Sequence, residues 1–141
     1  MKKIMLLLAE DDNDDSEFFK EALISCDPAA ELVVVTNGKK ATEYLTACAL
    51  ENLPHAILLD YNMPFMNAPQ VLDWLCSRNW LNGIHKFVWS TSSQQHYVDG
   101  CRGKGALDYF IKPTNEEGIK TIVERILAHC RESGTDLLTN K

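Results

Sequence analysis

The chain has 141 residues, 45% apolar and 24% charged, a mix that fits one soluble globular domain around one core. Its net charge of −6 argues against nucleic-acid binding through a broad basic surface. No apolar run is long enough to span a bilayer and no cleavable signal follows Met1-Lys2-Lys3, so no membrane association is expected.

Five short apolar runs punctuate the chain: Ile4 to Ala9, Leu32 to Val35, Ala56 to Leu59, Phe87 to Trp89 and Tyr109 to Ile111. Most are near-continuous rather than alternating, as expected of strands buried on both faces. Helical patterns lie between them. Phe18, Phe19, Ala22 and Leu23 share one face of the first, with Glu17, Lys20 and Glu21 turned away. The second covers about Lys39 to Leu50, with Ala41, Leu45, Cys48 and Ala49 at helical spacing. Pro69 suits a first turn, and Val71, Leu72 and Leu75 follow it in the third. A weaker fourth covers Gln94 to Arg102, and the last runs from Glu116 to Arg131 with Ile119, Ile122, Val123, Ile126 and Leu127. Strand and helix alternate five times, which predicts an α/β fold: a parallel sheet with helices on both faces. The stretch 133–141 has no periodic pattern and is expected to form a flexible tail after a domain of residues 1–132.

In such sheets ligands bind at the carboxyl ends of the strands. Glu10, Asp11 and Asp12 follow the first strand, and Asp60 ends the third. Ser90, Thr91 and Ser92 follow the fourth, and Lys112-Pro113 follows the fifth. Together they predict a carboxylate cluster with one hydroxyl and one ammonium. Clustered carboxylates either raise a pKa or bind a cation, and hard oxygen ligands favour Mg²⁺. A carboxylate can attack phosphorus and carry an acyl phosphate, with the metal and Lys112 offsetting the charge on the transferring group. Ser90 and Thr91 are alternative hydroxyl donors, since neighbouring strand residues point to opposite faces. A proline after Lys112 can adopt the cis form and aim that side chain.

Each of these residues also has a plainer reading. Acids after a first strand commonly start a helix, and Asp12, Asp14 and Asp15 are read that way, with Asp14 or Ser16 as the cap. An isolated Asp60 suits a turn, and an isolated Lys112 suits a solvated surface. Their joint placement after strands one, three, four and five is what points to a site. The cysteines (Cys26, Cys48, Cys76, Cys101, Cys130) are odd in number and form no Cys-x-x-Cys pair. They read as small buried hydrophobes with reduced thiols, as in a cytoplasm. His55, His85, His96 and His129 show no metal-ligand spacing.

The stretches "LLLAEDD", "ILLDYNMP", "FVWSTSS" and "GALDYFIKP" resemble, in order, the four motifs of the response-regulator receiver domain of two-component signalling. The resemblance covers about residues 3 to 131, and "AEDDNDDSEFFKEAL" is most similar to stand-alone receivers that accompany phytochromes. It implies a flavodoxin-like (βα)5 doubly wound sheet of strand order 2-1-3-4-5. It implies that Asp60 accepts a phosphoryl group from a histidine kinase or histidine phosphotransfer protein. Asp11 and Asp60 would hold Mg²⁺, with Glu10 acting through water and Asn62 offering its backbone carbonyl. Ser90, ahead of Thr91, and Lys112 would contact the phosphoryl oxygens, and Tyr109 would rotate inward as the hydroxyl moves. Output would run through a downstream partner, onward phosphotransfer, or a homodimer on the face of the fourth helix, fifth strand and fifth helix.

Asn67-Ala68 stands where the family commonly has Asp-Gly. Alanine does not tolerate positive φ as glycine does, so the loop behind Asp60 is expected to take another shape. That departure favours the alternative of a non-phosphorylated pseudo-receiver acting as a protein-binding module. A hydrolase with an aspartate nucleophile is a third reading. It looks for a second acid two residues later, where this chain has Asn62. Ser77 to Lys86 reads as an extended loop, and Trp89 as a core residue despite its bulk in a central strand.

Overall fold

The computed structural model describes residues 3–91 and 94–139, and side chains as far as residue 132. Five strands, β1 (Met5–Ala9), β2 (Glu31–Val35), β3 (Ala56–Asp60), β4 (His85–Ser90) and β5 (Asp108–Ile111), form one parallel sheet of order β2-β1-β3-β4-β5. Helices α1 (Asn13–Cys26), α2 (Gly38–Ala47), α3 (Ala68–Cys76), α4 (Gln95–Gly103) and α5 (Glu116–Thr139) fill the crossovers and cover both faces. This is the doubly wound arrangement that the alternation and the resemblance implied.

Alternate strand residues feed two separate cores, as the two-residue repeat of a strand requires. Leu6, Leu8, Leu58, Phe87 and Trp89 meet Phe19, Leu23, Ile122, Val123 and Ile126 of α1 and α5. Leu7, Ile57, Leu59 and Val88 meet Ala41 and Leu45 of α2, Val71, Leu72 and Leu75 of α3, and Cys101 of α4. The central strand β3 is buried at every position, which is why its sequence is apolar up to Asp60. Trp89 is buried, as its core reading expected, with its ring edge-on to Phe19 at 5.7 Å between centroids.

Several local expectations are corrected. Phe18 is 50% exposed rather than on the buried face of α1, and it lines a groove of about 170 Å³ between α1 and α5 with Ile119 and Lys120. The cap of α1 is Asp12, whose carboxylate accepts the Asp15 N–H at 3.0 Å, so the helix starts before Asp14 or Ser16. Helix α2 ends at Ala47, leaving Cys48 and Ala49 outside it. A 3-10 turn at Asn79–Leu81 shortens the expected loop, and β4 starts at His85. Helical backbone in α5 runs to Thr139, past the expected end at Arg131, with no proline to stop it. Cys101 and Cys130 are buried as small hydrophobes, whereas Cys76 is exposed. No described helix is long and apolar enough to cross a membrane.

The loop behind Asp60 is braced by α2. A Cβ built on Gly38 would run into the Met66 carbonyl and come within 2.7 Å of Met66 Cβ and Val71 Cγ2. Gly38→Ala is therefore expected to destabilise the protein by about 1–3 kcal/mol through overpacking, read as a lower urea midpoint with an unchanged slope. A midpoint equal to wild type would show that the loop yields freely.

Candidate active site at the strand ends

The parallel ladder brings the ends of β1, β3, β4 and β5 together. Backbone N–H groups of Glu10, Tyr61 and Lys112 donate to the carbonyls of Val35, Trp89 and Ser90 at 2.9, 3.0 and 2.8 Å. The side chains that follow are thus held by sheet hydrogen bonds rather than by mobile loop. Glu10 and Asp60 are buried, and Asp11 is exposed. One carboxylate oxygen from each lies within 4.8 Å of the others.

Lys112 Nζ lies 2.8 Å from Glu10 Oε1, 2.9 Å from Asp15 Oδ2 and 3.5 Å from Asp60 Oδ2. No cis peptide bond occurs among the described residues, so Lys112–Pro113 is trans and the cis expectation is corrected. The ammonium is aimed instead by its backbone bond to Ser90 and by its carboxylate partners. Burial alone would lower the Lys112 pKa, but Glu10, Asp15 and Asp60 outweigh it and raise it above the ordinary lysine range. Burial pushes the Glu10 carboxyl up to about 7, against the pull of Lys112 and the Asp12 N–H, with nearby Asp60 adding to the rise. Burial also raises Asp60, opposed by Glu10, by Lys112 and by the Asn62 backbone N–H. Two buried carboxylates this close favour holding a proton or a cation between them.

A hard divalent cation fits this donor set. Glu10 Oε1 is fully buried and makes no directed hydrogen bond, even though Lys112 stands at ion-pair distance. A metal ion imposes no such direction, and oxygen donors from three carboxylates suit Mg²⁺ or Mn²⁺.

Ser90 is buried at the end of β4 and shares a side-chain hydrogen bond with the Tyr109 hydroxyl. Thr91 is exposed, and Ser92 lies outside the described residues. Tyr109 is buried, against Tyr61 at 6.2 Å between ring centroids. Tyr61 in turn stacks at 4.5 Å on Tyr97 of α4, which links the residue after Asp60 to that helix.

The backbone at Asn67-Ala68 makes no demand for positive φ. Positive φ falls on Phe65 (70°), and Ala68 is the buried first residue of α3, donating its N–H to Tyr61 O at 3.2 Å. Asn67 caps α3 in a reciprocal pair with Gln70, a local motif that the sequence N-A-P-Q already carried. The residue that sequence reasoning missed is Asp15. Its place in the sequence suits a helix-start acid, yet its carboxylate meets a lysine 97 positions away.

Residues 6–124 match the response regulator receiver domain. The chain belongs to that family. The phosphorylated cyanobacterial phytochrome response regulator RcpA superimposes with a TM-score of 0.78 at 29% identity, covering 89% of this chain and 91% of that one. The Mn²⁺-bound form of response regulator Rcp1 gives a TM-score of 0.76 at 28% identity, covering 87% and 91%. Among curated relatives, the two-component response regulator-like protein PRR37 of Oryza sativa subsp. indica is 24% identical over 94% of this chain, which spans only 17% of the relative's length. The two-component response regulator ARR5 of Arabidopsis thaliana is 24% identical, covering 89% of this chain and 72% of the relative. This receiver domain therefore aligns with the solved chains of RcpA and Rcp1 over about nine tenths of their length and with PRR37 over less than a fifth.

Proposed function

We propose that this receiver domain is the phosphoacceptor of a two-component relay, with Asp60 taking a phosphoryl group from a phosphohistidine on a kinase or phosphotransfer protein. The observation that carries the reading is the burial of Asp60 at the end of β3, in one pocket with Glu10, Asp11 and Lys112. RcpA, solved in phosphorylated form, and Rcp1, solved with Mn²⁺, support it. An Asp60 carboxylate oxygen attacks phosphorus, the phosphorus–nitrogen bond to the donor imidazole breaks, and the imidazole leaves with its electron pair. Glu10, Asp11, Asp60 and the Asn62 carbonyl would hold Mg²⁺, which offsets charge on the transferring group. Lys112 places a positive charge beside Asp60, and Ser90, buried where Thr91 is exposed, supplies the hydroxyl.

Tyr109 joins Ser90 to Tyr61 and Tyr97, so movement of the Ser90 hydroxyl reaches α4. Leu107 and Ile111 are exposed beside this region and offer an apolar surface to a downstream partner or a second copy. In this reading the domain is modified and reset in the cytoplasm, without steady turnover of a substrate. Ala68 no longer favours the pseudo-receiver alternative, because it fits the first turn of α3.

Incubation with acetyl phosphate and Mg²⁺, followed by intact mass, tests this. Wild type is expected to gain one phosphoryl group and Asp60→Asn none. Equal labelling of the two proteins, or no labelling of either, would overturn the assignment.

A further inference from the structure

The partners of Lys112 divide into two kinds. Glu10 and Asp60 belong to the reacting centre, one as a metal-site carboxylate and the other as the acceptor. Asp15 belongs to neither. Its carboxylate is also not needed to start α1, since Asp12 caps the helix and Asp14 remains as a first-turn acid. Instead it turns across to the end of β5 and meets Lys112 Nζ at 2.9 Å.

An ammonium has three N–H donors, and three carboxylates surround this one at 2.8, 2.9 and 3.5 Å. A cation bound by Glu10 and Asp60 would compete with Lys112 for their oxygens. A phosphoryl group bonded to an Asp60 oxygen would remove the free carboxylate that Lys112 faces and set phosphoryl oxygens beside it. Asp15, outside the clustered carboxylates Glu10, Asp11 and Asp60, takes no part in either event. We infer that Asp15 is a positioning residue, which keeps the Lys112 ammonium fixed over the phosphoacceptor while its other partners change. Resting on the reading of Asp60 as the phosphoacceptor, this adds a residue from α1 to the site.

The test uses two measurements on the full chain. In Mg²⁺-free protein, the two Hε protons of Lys112 should be resolved by NMR, as in a held side chain, and should merge in Asp15→Ala. With Mg²⁺ and beryllofluoride, Asp15→Ala should weaken formation of the complex about ten- to a hundredfold, the size of a lost charge-assisted hydrogen bond. Asp15→Asn keeps an acceptor oxygen and should recover part of that loss. Adding Asp15→Ala to Lys112→Ala should change affinity less than about twofold, since Asp15 acts through the lysine. Resolved Hε protons in Asp15→Ala, or an equal loss in the Lys112→Ala background, would overturn the inference. A wild-type protein that takes up no phosphoryl group would instead defeat the phosphoacceptor reading, and the metal-free Lys112 signals would still decide what Asp15 holds.

Discussion

The stability of the metal-free protein is expected to fall as pH rises from about 5 to 8, and Glu10→Gln should remove most of that fall. Burial raises Glu10 from 4.5 to about 7. Between those values the folded state keeps a proton that the unfolded chain has released. The folded state then binds more protons, so stability declines with pH and levels off once Glu10 is ionised in both states. Asp60, also raised, acts in the same sense. Lys112, raised from 10.5, stays protonated in both states throughout this window. The expected size is on the order of 1–3 kcal/mol.

His85 works the other way. Burial lowers its pKa below 6.5, so acid must force a charge onto it and stability is lost as pH falls through that region. The Glu10 contribution is therefore read as the difference between wild type and Glu10→Gln in urea titrations at each pH. Above pH 7 the variant should be the more stable protein, because a buried charge beside Asp60 has been removed. Saturating Mg²⁺ should flatten the wild-type profile by occupying the carboxylates. Equal pH profiles for wild type and Glu10→Gln would show that the two carboxyl groups do not share their charge as the geometry requires.

Trp89→Ala is expected to cost about 3–5 kcal/mol, a large part of the stability of a domain this size. Trp89 is among the largest fully buried side chains and fills the sheet face under α1 and α5. Its ring meets Phe19 edge-on, and Lys112 Nζ lies 5.2 Å from its centroid. Its carbonyl accepts the Tyr61 N–H, and it pairs across the ladder with Asp60. The cavity would thus open directly beneath the site. Trp89→Phe should cost clearly less. It keeps most of the ring, and the indole Nε1 has no hydrogen-bond partner to lose among the described residues. Urea unfolding followed by circular dichroism measures both variants. A loss below about 1 kcal/mol for Trp89→Ala would mean that the face collapses to fill the space.

The alternation of strand and helix, the ends of the strands and the acid, hydroxyl and amine that follow them are all legible in the residues alone. Continuous apolar runs such as Ala56 to Leu59 suit burial on both faces, so β3 as an interior strand follows from local pattern, whereas the order of the strands came only with the family resemblance. Asp60 is exceptional in its own stretch, a charge ending an apolar strand, and that contrast marks it without any knowledge of the fold. Asp15 carries no such contrast. It sits with Asp12 and Asp14 in "EDDNDD", where a helix start explains these three equally well. Only the placement of the first turn of α1 beside the end of β5 separates it from Asp12 and Asp14. The Tyr61–Tyr97–Tyr109 cluster and the exposure of Phe18 are decided in the same way. Periodicity records which face of a segment is buried, but not how far that face is covered at its edge, where Phe18 lies. Which distant side chain a residue meets depends on how whole elements pack, and that was settled by the tertiary structure.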